Sequence, residues 1–303
     1  MQIASARYVE IDHKKKIYYF PDDFAFGVST LAFQIEGAWN EGDGTDNNIN
    51  KEGVLYYRTL FKELIKANVT PVVTLYHWDL PTIFVDLGGW SNPILVDYFE
   101  DYARTSFRLF GDLVKYWLTL NEPHQHCVSS YGGSTIPGLK LPGVALYLCT
   151  HNILLAHARV YRMYKKEFYG KIALPLDCNW SMPKHHQRPE DHEAAERHLE
   201  MHIKALKGSS HFFSLNHYTT YLISQPSIDD KWQIPSYDHD TGVKVEQDLS
   251  WSVPGVSWLS VYAPGIRKMI KWITEKYGNE IPIIVTENGV SDKGQVDDYD
   301  RVS

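Results

Sequence analysis

The stretch "VKYWLTLNEPHQ", Val114 to Gln125, runs from an aromatic and β-branched segment onto a carboxylate, Glu122, followed at once by Pro123. A second stretch, "IPIIVTENGV" (281–290), repeats the pattern 287 − 122 = 165 residues later, with Glu287 directly after Ile283, Ile284, Val285 and Thr286. Short continuous apolar runs of this kind suit strands buried on both faces, as in a parallel sheet covered by helices. Each run follows a helical pattern: "NPILVDYFEDYARTSFRLFG" (92–111) precedes the first and "PGIRKMIKWITEKYG" (264–278) the second.

The same alternation extends along the chain. "EGVLYYRTLFKELIKANV" (52–69) leads into "TPVVTLYHW" (70–78), and "YLCTHNILLAHARVYRMYKKEFYG" (147–170) leads into "KIALPLDCNW". "PEDHEAAERHLEMHIKALKG" (189–208) then precedes "HFFSLNHY". With "FAFGVSTLAFQ" (24–34) as an opening strand, six strands are expected, five of them preceded by a helix. Helix–strand alternation of this type gives an α/β fold, either an open doubly wound sheet or a closed (β/α)8 TIM barrel. No G-x-G-x-x-G follows the first strand, which removes the usual reason to prefer the open sheet. Four strands end in the polar clusters "YHWD", "LNEP", "LNHY" and "TENG", as expected where chemistry gathers at the C-terminal face of a barrel.

Composition narrows the function. The 303 residues are 44% hydrophobic and 22% charged, with a net charge of −7. That balance argues against a nucleic-acid partner, which needs a basic face. Aromatic residues are abundant at 14%, which fits either large core side chains or rings stacked on sugars. Cys127, Cys149 and Cys178 are too few and too odd in number to predict a disulfide framework. The first twenty residues lack the apolar core of a leader peptide, so no secretory route is expected, and no run is long enough to span a membrane. Sequons occur at Asn68 (N-V-T) and Asn179 (N-W-S).

A single glutamate at a strand end is as readily a cap or a solvated loop residue as a catalytic one. Two carboxylates converging on one aromatic-lined mouth are another matter, because cleavage of a glycosidic bond requires such a pair. One acts as proton donor, its pKa raised by burial and by its negative neighbour, and the other stays ionised. Pro123 is expected to hold Glu122 extended, and Gly289 allows a sharp turn after Glu287.

Seven segments in order carry a resemblance: "FPDDFAFGVSTLAFQIEGAWNEGDG", "VTLYHWDLP", "GGW", "LTLNEP", "HNILLAHA", "FFSLNHYTT" and "IVTENGVSD". From about residue 20 to 292 the chain resembles glycoside hydrolase family 1, the retaining β-glucosidases with their lactase-type and myrosinase relatives. The resemblance implies a (β/α)8 barrel and a single domain over 1–303. It implies Glu122 as acid/base, Glu287 as nucleophile, and Gln34, His77 and Asn121 as partners of sugar hydroxyls. Tyr218 matches the tyrosine that touches the nucleophile. Trp78 is expected to pack rather than bind. Glu122 itself argues against the plant myrosinases, in which glutamine takes its place. The expected partner is a small-molecule β-glycoside, and the chemistry needs no metal or organic cofactor.

The chain also departs from that pattern. Nothing matches the family's second strand, whose arginine contacts the nucleophile: between Glu36 and Glu52 lies only "GAWNEGDGTDNNINK". The segment before "HFFSLNHY" is short, and no match to the last strand, with its sugar-binding Glu and Trp, occurs before Ser303. An incomplete barrel is therefore expected, with reduced glycosidase activity, or a sugar- or partner-binding role, as the consequence. The histidine-rich stretch "HHQRPEDHEAAERHLEMH" lacks the spacing of a zinc helix, because Glu196 stands where H-E-x-x-H needs its second histidine, and it reads as a solvated helix face.

Overall fold

The computed structural model describes residues 8–11, 16–19, 24–30, 49–133, 141–203, 208–227, 230, 232, 234–252 and 255–291. An antiparallel hairpin opens the chain, β1 (Tyr8–Ile11) with β2 (Lys16–Tyr19), Tyr8 opposite Tyr19. The helix–strand alternation follows: α1 (Lys51–Lys66), β3 (Val72–Tyr76), α2 (Thr82–Asp86), α3 (Leu95–Phe110), β4 (Tyr116–Leu120), α4 (Pro123–Tyr131) and α5 (Ala145–Glu167). Beyond α5 come β5 (Lys171–Ala173), β6 (Pro175–Asp177), β7 (Trp180–Pro183), α6 (Pro189–Ile203), β8 (Phe213–Asn216) and β9 (Thr220–Ser224). The last elements are α7 (Tyr237–Thr241), β10 (Lys244–Glu246), α8 (Pro264–Tyr277) and β11 (Ile283–Glu287).

Strands β3, β4 and β5 pair in parallel, as do β6, β8 and β11. Because β5 and β6 are consecutive halves of one segment split at Leu174, the two ladders join into one arc. Its order is β3, β4, β5/β6, β8, β11, each strand beside its successor in sequence. Helices connect the strands, as parallel pairing requires. This is five eighths of a (β/α)8 barrel. The expected sixth strand is not seen: residues 24–30 have no regular structure and lie mostly exposed, and 31–34 fall outside the described residues. Apolar character alone does not make a strand, which also needs a partner to pair with.

Side chains on the inner side of the arc form a small layer of Leu118, Ala173 and Phe212, flanked by Val72, Tyr116 and Ile284. Those on the outer side meet the helices. Trp117 is buried edge-on against Phe107 of α3, with ring centroids 4.9 Å apart. Thr119 donates or accepts at 2.8 Å with Nδ1 of His157 on α5, whose Nε2 reaches the Ser209 carbonyl at 2.7 Å. Two of the quoted motifs thus serve the scaffold. In "GGW", Gly89 has φ +57°, and a Cβ there would come 2.2 Å from the Tyr131 hydroxyl. That hydroxyl accepts from the Trp90 N–H at 2.6 Å, and Asn152 of "HNILLAHA" donates to the Trp90 carbonyl at 2.8 Å.

Two further features differ from expectation. Cys127 of α4 and Cys149 of α5 form a buried disulfide, which a count of three cysteines could not reveal because pairing depends on where helices dock. Helix α6 is not a solvated face throughout: Asp191, Ala194, Ala195, His198 and Leu199 are buried against β7 and β9, and His198 Nδ1 lies 2.8 Å from Ser181 Oγ. Among the described residues no group of three or more His, Cys, Asp or Glu is arranged to hold a metal ion, and no helix is long and apolar enough to cross a membrane.

Candidate active site

At the C-terminal end of β4 the chain turns from strand to helix around one residue. Asn121 N–H donates to the Tyr76 carbonyl of β3 at 2.9 Å, and Glu122 N–H donates to the Pro175 carbonyl of β6 at 3.1 Å. The Glu122 carbonyl then accepts from His126 N–H at 2.9 Å, the first bond of α4. Glu122 adopts φ 46°, ψ 68°, a left-handed conformation uncommon for a residue with a Cβ. The extended conformation expected from Pro123 is therefore wrong. Pro123 instead starts α4, where its fixed φ suits the first helical position. Bonds on both sides of the Glu122 peptide hold a conformation that costs on the order of 1–3 kcal/mol. The neighbouring strand end uses the same device: Trp78 has φ 76°, its indole N–H donates to the Asn121 carbonyl at 2.8 Å, and its ring stacks on His126. Trp78 packs, as expected.

Asn216, the last residue of β8, ties the site together. Its Nδ2 donates to Glu122 Oε1 at 2.8 Å and lies 3.1 Å from Asn121 Oδ1, while its Oδ1 accepts from Thr286 Oγ1 at 2.6 Å. Asn121 Nδ2 in turn donates to His77 Nε2 at 3.2 Å, which requires that nitrogen to be unprotonated. Burial lowers the pKa of His77 in the same sense, with Asp79 opposing.

Glu287 ends β11 opposite Asn216, past an irregularity in the ladder between Val285 and Glu287 that turns its side chain. The Tyr218 hydroxyl donates to Glu287 Oε2 at 2.9 Å. Burial raises the Glu287 carboxyl, and the Tyr218 hydrogen bond opposes that rise. The Asn216 side chain thus ties Glu122, through its Nδ2, to Thr286 of β11, through its Oδ1, next to Glu287. Glu122 is pushed well above the usual carboxylate range by burial, then by the charges of Asp177 and Glu287, with the Asn216 bond opposing.

Of the residues singled out in the sequence, His77, Asn121, Glu122, Tyr218 and Glu287 come together at the C-terminal ends of β3, β4, β8 and β11. Gln34 lies outside the described residues. Sequence reasoning missed Asn216, although it stands in the "LNHY" cluster next to Tyr218. It also missed Asp177, the buried end of β6, which pairs with His124 Nδ1 at 3.1 Å. Its signal is the same as that of Glu122: a carboxylate closing an apolar run, here "KIALPLD".

Comparison with known proteins agrees with this architecture. The chain is 31% identical to Myrosinase 1 of Brevicoryne brassicae over 94% of its own length and 84% of the relative's. It is 34% identical to lactase/phlorizin hydrolase of Homo sapiens, matching 89% of this chain but only 16% of that protein. The solved structure of an aphid myrosinase superposes with a TM-score of 0.76 at 33% identity, covering 85% of this chain and 65% of the other. The profile described as Glycosyl hydrolase family 1 matches residues 16–46, 42–206 and 200–303. With that match spanning the fold and every strand end described above, the chain belongs to glycosyl hydrolase family 1.

Proposed function

We propose that this protein is a retaining β-glycosidase acting on small-molecule β-glycosides, its 303 residues forming one barrel-type domain. The observation that supports this reading most directly is the convergence of Glu122 and Glu287 on one group of strand ends, where Asn216 bonds Glu122 and also Thr286 beside Glu287, and where the Glu287 charge helps raise Glu122. Retaining cleavage uses two carboxyl groups about 5–5.5 Å apart that flank the scissile bond, one as acid and base, the other as nucleophile.

The environments of the two groups suit different roles. Glu122 is 8% exposed and faces two other negative charges, so it holds its proton into a higher pH range. Glu287 receives the Tyr218 hydrogen bond, which favours its ionised form. In the first step a Glu287 oxygen attacks the anomeric carbon as the bond to the aglycone oxygen breaks, and the Glu122 proton passes to that oxygen. In the second, Glu122 takes a proton from water, the water oxygen attacks the anomeric carbon, and the ester to Glu287 breaks. His77, Asn121 and Gln34 are the proposed contacts of the sugar hydroxyls.

Nitrophenol release from an aryl β-glucoside tests the assignment. Glu287→Gln should lower turnover by about 10⁴-fold or more, since no carboxylate remains to form the intermediate. Turnover that survives this substitution unchanged would overturn the nucleophile assignment, and saturable glucoside binding without turnover in the unsubstituted protein would favour a sugar-binding role instead.

A further inference from the structure

The buried Cys127–Cys149 disulfide bears on a part of the molecule far from the site. Such bonds persist in oxidising compartments, secretory lumen above all, and that is where asparagine-linked glycans are added. The bond therefore points against the route expected from the first twenty residues, and it gives the two sequons a meaning they lacked.

The structure separates them. Asn68 follows α1 in the left-handed region, φ 58°. Asn68 N–H donates to the Ile65 carbonyl at 2.9 Å and Val69 N–H to the Leu64 carbonyl at 2.8 Å, the paired bonds of a helix-ending Schellman turn. The turn buries Val69 and leaves Asn68 and Thr70 exposed. It precedes β3, so it lies at the N-terminal end of the arc, opposite the end that carries Glu122 and Glu287. Asn179 is built into the fold instead. Its Oδ1 accepts from Tyr218 N–H and Thr219 N–H, both at 3.0 Å, and the Ser181 hydroxyl of the same sequon is buried against His198. The hydroxyl that a glycosyltransferase must read is thus open in the first sequon and closed in the second.

We propose that Asn68 is an N-glycosylation site and that Asn179 is not. The donor is a lipid-linked oligosaccharyl diphosphate. The Asn68 Nδ2–C1 bond forms as the bond from C1 to the diphosphate oxygen breaks, and one amide proton leaves with the diphosphate, with no change in oxidation state. A glycan there projects from the end away from the site, so it leaves glycoside access open.

Peptide mapping of the protein isolated from the cells that make it, without reduction, tests this. The expected result is a Cys127–Cys149 linked peptide together with an Asn68 peptide whose added mass peptide N-glycosidase removes, leaving aspartate there and Asn179 unmodified. An unmodified Asn68, a glycan on Asn179, or Cys127 and Cys149 recovered as free thiols would each overturn the proposal. In secreting eukaryotic cells, Thr70→Ala should abolish the glycosidase-sensitive mobility shift and Thr70→Ser should keep it. A shift that persists in Thr70→Ala would also overturn it, and this readout is independent of glycosidase activity.

Discussion

Strands β4 and β11 both end in a glutamate, yet they hold it in different ways. In β4 four of the five residues are buried, the strand has neighbours on both sides, and Glu122 is fixed by backbone bonds to β6 and α4. In β11 all five residues are only partly buried, and among the described residues it pairs with β8 alone. The Glu287 carboxyl is instead held by a side chain, through the Tyr218 hydroxyl. The half that holds Glu122, the proposed proton donor, is built into the arc's interior, and the half that holds Glu287, the proposed nucleophile, stands at its edge. A break in either half should show a different signature.

The largest effect after loss of the nucleophile is expected from Glu122→Gln. Turnover should fall by roughly 10²–10⁴-fold with poor leaving groups, and less with activated aryl ones that need little protonation. The same variant should gain stability near neutral pH. The folded pKa of Glu122 lies above its unfolded value of 4.5, so the folded state holds a proton that the unfolded state has lost, and stability declines as pH rises through that window. Melting curves compared from pH 4 to 8 should show the parent losing stability relative to the variant as pH rises.

Asn216→Ala touches both halves at once. It leaves Glu122 and Thr286 without their amide partner, a loss of about 1–3 kcal/mol in stability, and it unties Glu122 from β11, the strand that carries Glu287. A fall in kcat with little change in KM is expected, of about 10–10²-fold by the same energy scale. Unchanged kcat would show that Glu122 and Glu287 are held apart by the barrel alone.

The interior half also predicts acid sensitivity. His126, bonded to Tyr76, is lowered to about 3 by burial, and His157, bonded to Thr119, to about 4. Both stay neutral in the fold while the unfolded chain takes up protons below 6.5. Stability should thus be lost as pH falls from 6.5, by on the order of 2 kcal/mol per histidine at pH 5. His157→Gln should flatten that fall if the substituted amide keeps the Thr119 and Ser209 bonds.

How much of this was legible beforehand follows the same division. The parallel arc could be read because each strand is a short apolar run behind an amphipathic helix, a local signal. Glu122 and Glu287 could be read because two such runs close alike and both fall within motifs of the family resemblance, whereas Asp177, which closes a run alone, was passed over. Three things could not be read. The left-handed turn at Glu122 depends on bonds from β6 and α4, which override the extended preference before Pro123. The Asn216 amide shows its role only once β8 lies between β4 and β11 in space. Residues 24–30 read as a strand because apolar content is local, whereas a strand's existence depends on partners elsewhere in the chain.

Tyr218→Phe gives the smallest and most informative test of the edge half. The hydroxyl donates to Glu287 Oε2 at 2.9 Å and favours the ionised form, against the burial that raises the carboxyl. Its removal should raise the Glu287 pKa further, so the acidic limb of the kcat/KM profile, which follows ionisation of the nucleophile in the free enzyme, moves to higher pH. Turnover at the optimum should fall by roughly tenfold, the cost of one hydrogen bond to a charged group. The basic limb, which follows Glu122, should stay in place because the interior half is held by Asn216 and the backbone. Movement of both limbs together would mean that the two halves titrate as one unit, and the division between interior and edge would then fail at the level of charge even though it holds at the level of packing.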